Sequence, residues 1–163
     1  MKTVLILRHA KSSWKRPELP DHDRPLNKRG KRDAPRMGTL IRTKGLVPDL
    51  IISSTAKRAR RTAKLIAKKS GYEEKIQLTP AFYHAGPRAY IAVLNSLQNN
   101  YNRVMVVGHN PGLEQLVANV TGQIETMPTA ALAHILLPIN DWSELDRGTH
   151  GELVHLWCPK ELF

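Results

Sequence analysis

Apolar residues recur along this chain in two rhythms. Short runs with β-branched members occupy Thr3 to Leu7, Asp49 to Ser54 and Arg103 to Val107, each bounded by polar residues. This is the pattern of strands buried on both faces of a parallel sheet. Ile76 to Leu78 reads as a further short strand. Between these runs the period changes to that of a helix. Asn27 to Thr43 places Ala34, Met37, Leu40 and Ile41 at helical spacing, with Asn27 as N-cap and Gly45 as stop. Pro35 conflicts with this reading: it either kinks the helix or moves its start to near Asp33. Residues 55 to 70 form the strongest helical pattern, with Ala59, Ala63, Ile66 and Ser70 on one face and Lys57, Arg61, Lys64 and Lys68 on the other.

Gly86-Pro87 opens a helix through Tyr90, Val93, Leu94 and Leu97 that Asn99-Asn100 closes. Another begins after His109, with Asn110 as cap, Pro111 in its first position, and Leu113, Leu116, Val117 and Val120 facing inward. Ala130 to Leu137 and Leu153 to Cys158 then read as two strands paired antiparallel at the far side of the sheet. Alternation of buried strands with amphipathic helices predicts an α/β fold. The expected form is a three-layer sandwich, with a mostly parallel central sheet, an antiparallel edge, helices on both faces, and one domain across residues 1–163. Residues 11 to 26, with Pro17, Pro20 and Pro25, stand out as a long loop over the sheet edge, and loops of that length in compact domains are often functional.

Composition narrows the class. The chain has 163 residues, 41% of them hydrophobic, enough for one core. It shows no signal-peptide pattern and no apolar stretch near the length of a membrane span, so the expected compartment is cytoplasmic and no membrane partner is expected. A lone cysteine, Cys158, lies in an alternating apolar run and reads as a buried structural thiol. Lys and Arg number 25 against 14 Asp and Glu, a formal charge of +11. That bias favours anionic partners without choosing among phosphorylated substrates, nucleic acid and acidic membranes. The basic stripe on residues 55 to 70 reads as a solvated outer face, and no nucleic-acid partner is expected. Nothing signals an oligomer, and the default is a monomer.

The chemistry gathers where strands end. Thr3 to Leu7 delivers Arg8 and His9, the second strand leads to Arg58, and Arg103 to Val107 delivers Gly108 and His109. In a doubly wound sheet the carboxyl ends of parallel strands meet at one crevice. Two arginines and two histidines there suit a phosphoryl group. Guanidiniums fork to its oxygens, one neutral imidazole attacks phosphorus, and a second, protonated one stabilises the developing charge. Arg58 sits in the first turn of a helix, against the macrodipole, which asks for another reason, such as a bound anion. There is no metal-ligand motif and no glycine-rich phosphate loop, so no metal and no cofactor are expected.

Leu7-Arg8-His9-Ala10-Lys11-Ser12-Ser13-Trp14, then Arg24-Pro25-Leu26 and Gly30, Ser53-Ser54 leading to Arg58-Ala59 and Thr62, and Gly108-His109-Asn110-Pro111-Gly112, in that order, resemble the histidine phosphatase superfamily, related to phosphoglycerate mutase. The similarity is greatest to its short SixA-type branch of phosphohistidine phosphatases. The resemblance implies that His9 is the nucleophile, transiently phosphorylated, and that Arg8, Arg58 and His109 bind the phosphoryl group. It makes Arg24 an auxiliary phosphate contact. Ser12 is near enough to His9 in sequence to line the pocket.

Two departures from the superfamily pattern bear on function. Its Arg-His-Gly becomes Arg8-His9-Ala10, so the turn must accept a Cβ. The carboxylate that the esterases and mutases place after the third strand is missing from Thr79 to Gly86, where His84 and Tyr83 are the titratable groups. General-acid help is worth roughly 10²- to 10⁴-fold, so such a site favours a leaving group that departs easily, such as the imidazole of a phosphohistidine-bearing protein. His84 reads equally as a pocket-lining or a packing residue. The expected activity is a metal-independent phosphatase acting through phospho-His9, with activity bell-shaped in pH if His9 is neutral and His109 charged. A small-molecule phosphomonoesterase and a non-catalytic basic phosphate- or nucleic-acid-binding protein stand as alternatives. A mutase fits least, because the loop at 11 to 26 is too short to enclose a second phosphate site.

Overall fold

A computed structural model describes all residues, 1–163. Six strands form one sheet: β1 (Lys2–Arg8), β2 (Leu50–Ser54), β3 (Gln77–Thr79), β4 (Arg103–Gly108), β5 (Leu132–Leu137) and β6 (Glu152–Trp157). Their spatial order is β3-β2-β4-β1-β5-β6. The first four are parallel, and β5 and β6 add an antiparallel flank beside β1. This is the expected α/β sheet with an antiparallel edge.

Successive residues of the central strands point to opposite faces, and each face carries its own core. On one side Leu5, Leu7, Ile51, Met105 and Val107 pack against α1 (Lys28–Thr43) and α2 (Lys57–Ser70). On the other, Val4, Ile6, Ile52, Val104 and Val106 pack against α3 (Pro87–Asn95) and α4 (Gly112–Thr121). A last turn of helix, α5 (Pro159–Leu162), follows β6 and touches α1. Cys158 is a free, buried thiol. No helix is long and apolar enough to cross a membrane.

Asn27 caps α1 by accepting a hydrogen bond from the Gly30 amide at 2.9 Å. Pro35 lies inside α1 and does not move its start. Its missing N–H leaves the Lys31 carbonyl without an i+4 donor, and Lys31 is exposed, so that carbonyl lies open to solvent. The expectation for Asn110 is corrected. It does not cap α4, whose N-cap position is Pro111 with no side-chain bond; the Asn110 amide instead donates to the Met127 carbonyl at 2.8 Å. Helix α3 also ends at Asn95, before the predicted Asn99-Asn100 stop.

This topology sets the site. Strands β1, β2 and β4 end at the same edge, with Arg8 opposite Gly108 in the pairing. The loop from 11 to 26 crosses that edge, fastened to itself by an isolated bridge between Ser12 and Leu26 and by the Ser13 amide to the Pro25 carbonyl at 2.8 Å. A short 3₁₀ turn, Asp21–Asp23, is its inner part and lies against α2.

Candidate active site

The end of β1 delivers His9 into the site with 7% of its surface exposed. Its Nδ1 lies 2.8 Å from the Ala10 carbonyl oxygen. A carbonyl only accepts, so Nδ1 carries the proton and Nε2 keeps its lone pair. Ala10 occupies the position of the usual glycine without strain. It is not among the residues with positive φ, and its amide donates to Thr62 Oγ1 at 3.0 Å, while that hydroxyl donates to the Arg58 carbonyl. The histidine turn is thereby tied to the first turn of α2.

His109 sits 5.1 Å from His9 between ring centroids. Its Nε2 is 2.8 Å from Ser54 Oγ, and its amide donates to the Tyr90 hydroxyl at 3.3 Å. Gly108 makes that approach possible, since a Cβ there would run into Tyr90 Oη. Around the two rings, three buried nitrogens make no hydrogen bond within the protein: Arg8 Nε, Arg58 Nε and His109 Nδ1. Buried polar atoms without partners are costly, and nitrogens of this kind are available to an oxyanion, although Asn110 Oδ1, an acceptor of a residue lining the same cavity as Arg58 and His109, is unpartnered too.

Both histidines are hard to protonate in the free protein. Burial lowers His9 to about 3, against the Ala10 carbonyl and with help from the charges of His109, Arg58 and Arg8. Burial and then Arg58 lower His109 to about 4, although Asp21 opposes them. This departs from the expectation of a charged His109: in the free protein burial and Arg58 favour its neutral form at neutral pH.

A cavity of about 470 Å³ opens beside His109, lined by Asp21, Arg58, Tyr83, His84, Asn110 and Gln115 among others. His84 is therefore at the pocket, with positive φ and its ring 4.1 Å from that of Tyr83. Of the predicted site residues, Arg58, His109 and His84 line this cavity, while His9, Arg8, Arg24 and Ser12 do not; His9 reaches it through its contact with the His109 ring. Arg24 donates to Asp21 Oδ1 at 3.1 Å and stacks on the Trp14 indole, so it acts on the pocket through Asp21. Ser12 is buried and fastens the loop to Leu26.

Asp21 is the residue that sequence reasoning missed. Its Oδ2 accepts from Arg58 Nη2 at 3.0 Å and from the Tyr83 hydroxyl at 2.6 Å, and its carbonyl accepts from Arg58 Nη1 at 2.8 Å. Partial desolvation works against its charge, but the hydrogen bonds from Tyr83 and Arg58, with the Arg58 charge and Arg24, hold the carboxyl well below the usual range. The segment after β3 lacks an acid, as read, yet the pocket does not lack a carboxylate. The one present is ionised and cannot donate a proton. The Arg24 partnership at i, i+3 was its only trace in sequence, and Glu18 and Asp23 in the same loop were equally eligible.

Met127 is the other unforeseen element. Its carbonyl accepts from Arg8 Nη1 at 3.0 Å and from Asn110, and its amide donates to Glu114 Oε2 at 2.7 Å. Glu114 thus anchors the backbone that orients Arg8. A larger hollow of about 640 Å³, lined by Asp49, Tyr72, Lys75 and Tyr101 among others, contains no histidine or arginine and is not this site.

A sheet of this order with two histidines and two arginines at its carboxyl edge has the chemistry to bind a phosphoryl group. Residues 4–84 match the histidine phosphatase superfamily (branch 1). An uncharacterised chloroplast protein of Arabidopsis thaliana is 33% identical over 88% of this chain and 70% of its own length. A solved SixA structure from Agrobacterium tumefaciens is 28% identical, with TM-score 0.83, covering 97% of this chain and 98% of that one. The structure of the protein histidine phosphatase SixA complexed with tungstate has TM-score 0.85 at 22% identity over 99% of both chains, a likeness of fold. The chain belongs to the histidine phosphatase superfamily, is a phosphatase of that superfamily, and shares its fold with the solved SixA structures.

Proposed function

We propose that this phosphatase hydrolyses phosphohistidine in a protein through a phospho-His9 intermediate. The carrying observation is the His9 tautomer: with Nδ1 donating to the Ala10 carbonyl, the free lone pair is on Nε2, 5.1 Å separates its ring centroid from that of His109, and buried nitrogens of Arg8, Arg58 and His109 have no partner within the protein. Nε2 attacks phosphorus while the P–N bond to the substrate histidine, whose other ring nitrogen carries a proton, breaks and its electron pair returns to that ring, which leaves as neutral imidazole. The guanidiniums and His109 bind the equatorial oxygens where charge accumulates. Water then attacks phospho-His9, the second P–N bond breaks toward Nε2, and phosphate leaves.

The leaving group follows from the protons at hand. Asp21 is ionised, and burial, with Asp21 adjacent, raises the Tyr83 phenol above its ordinary value. Neither suits proton donation to an alkoxide near pH 7, which leaves His84 as the other candidate donor lining the pocket, whereas a ring-protonated phosphohistidine releases neutral imidazole without such help. Protein phosphorylated on histidine with ³²P tests the reading. Wild type releases phosphate and traps acid-labile label, and His9→Ala loses both by at least 10³-fold. Wild-type turnover by His9→Ala would overturn the mechanism, and a strong preference for an alkyl phosphate over phosphohistidine would favour a general phosphomonoesterase.

A further inference from the structure

The charge of +11 is not spread over the molecule. Helices α1 and α2 carry 13 of the 25 Lys and Arg and one of the 14 acids, so their 30 residues hold a net +12 and the other 133 residues a net −1. Helices α3 and α4, on the opposite face, carry only Arg88 and Glu114. The two basic helices lie side by side, with Gly38 of α1 against the backbone of Ile66 and the Cβ of Lys69 in α2.

Almost none of this charge is neutralised internally. Arg29 and Arg32 pair with the buried Asp33, and Arg58 pairs with Asp21. The other ten cations form no ion pair with any carboxylate of the chain. Several stand at like-charged i, i+4 spacing, as in Arg60, Lys64 and Lys68, which disfavours the helix by a few tenths of a kcal/mol per pair. No acid offsets the macrodipole in the first turn of either helix. The fold bears this repulsion without an internal acceptor, which points to an external one.

The cationic face also runs into the site. Arg58 belongs to α2, Gly30 of α1 packs on the backbone of Lys11, two residues beyond His9, and exposed Lys15 continues the charge along the loop, while Arg16 beside it is paired with Glu18. We propose that the α1–α2 face is the docking surface for an acidic protein that carries the phosphoryl group to His9. This rests on the phosphohistidine reading for the identity of the cargo. A protein fits the surface better than nucleic acid does. The helices are about 24 and 21 Å long and lie flat on the sheet, and neither carries an aromatic residue on which a base would stack.

The test uses two proteins phosphorylated on histidine with phosphoramidate, an acidic phosphotransfer domain and a basic histone, with phosphoramidate itself as the small substrate. Wild type should prefer the acidic carrier, and its kcat/KM on that carrier should fall at least tenfold between 50 and 300 mM NaCl. The triple variant Arg61→Glu, Lys64→Glu, Lys68→Glu should lose at least tenfold on the acidic carrier through KM. It should keep phosphoramidate turnover within twofold, which also reports an intact fold. An equal loss on both substrates, or no loss on either, overturns the docking proposal, as does duplex DNA binding that the triple variant abolishes while carrier turnover is unchanged. If wild type turns over none of the three substrates, the phosphohistidine reading fails instead. Docking is then read from binding of the unphosphorylated acidic domain, which wild type must bind at least tenfold more tightly than the triple variant for the proposal to stand.

Discussion

Arg58 does two jobs with one guanidinium. Two of its nitrogens are held by Asp21 and the third, Nε, is free, so an incoming phosphoryl group competes with an internal carboxylate for the same fork. Asp21→Asn removes that competing charge while keeping the side chain's size. Sulfate, whose own charge is constant between pH 5 and 8, should bind this variant about 5- to 30-fold more tightly, the worth of roughly 1–2 kcal/mol for a charge-assisted hydrogen bond. The side chain of Asp21 is 42% exposed, which screens the effect and places the lower end of that range within expectation. Calorimetric titration decides it, and unchanged or weaker sulfate binding would show that the carboxylate does not compete. His109 gives a second expectation with its sign fixed by linkage. Its pKa in the free protein is about 4, below the ordinary 6.5, and a bound anion raises it. Anion binding therefore takes up a proton, and sulfate affinity should increase as pH falls from 7 toward 4, by at most tenfold per unit. His109→Gln should flatten that profile; a wild-type affinity independent of pH would rule out the protonation of His109 on binding.

At the level of elements, what the sequence revealed and what it concealed divide along one physical line. Strands β1, β2 and β4 were legible because their residues are buried on both faces and so form unbroken apolar runs. Helices α1 and α2 were legible because one side is core and the other is charge, which prints a 3.6-residue period. Arg8, His9, Arg58 and His109 could be grouped because topology alone brings strand ends together. What remained hidden depends on contacts between distant loops. Asp21 meets Tyr83 across 62 positions and Arg8 meets Met127 across 119, and no local period records such pairs. Asn110 is a case where local chemistry misled: the residue type suits a cap, but the Met127 carbonyl takes its amide, and Pro111 stands at the N-cap. Gly108 is the converse. It looked like part of a motif, and its physical reason is the Tyr90 hydroxyl lying where a side chain would be, which brings α3 under His109 and makes an element of the opposite layer a support of the site.

The whole molecule is electrostatically lopsided, with one layer of the sandwich positive and the remainder nearly neutral. Such an arrangement opposes folding, since the unfolded chain separates charges that the packed helices hold within a Debye length, about 8 Å at physiological salt. Screening should therefore stabilise this protein. Between 20 and 300 mM NaCl the thermal midpoint is expected to rise by about 2–4 °C, the shift that roughly 1 kcal/mol produces in a chain of this size. The comparison must be made in chloride, because sulfate or phosphate would add binding at the pocket. The charge-reversed triple variant separates surface repulsion from the pocket's own charges. It halves the net charge of the two helices, from +12 to +6, and gives Lys57 and Arg60 each an acid four residues further on, a favourable relation where the wild type has a repulsive one. Its midpoint should therefore start higher at 20 mM and rise less with salt. A wild-type midpoint that is flat in salt would mean that the cations lie too far apart to repel, and would also remove the physical reason for assigning the α1–α2 face to an acidic partner.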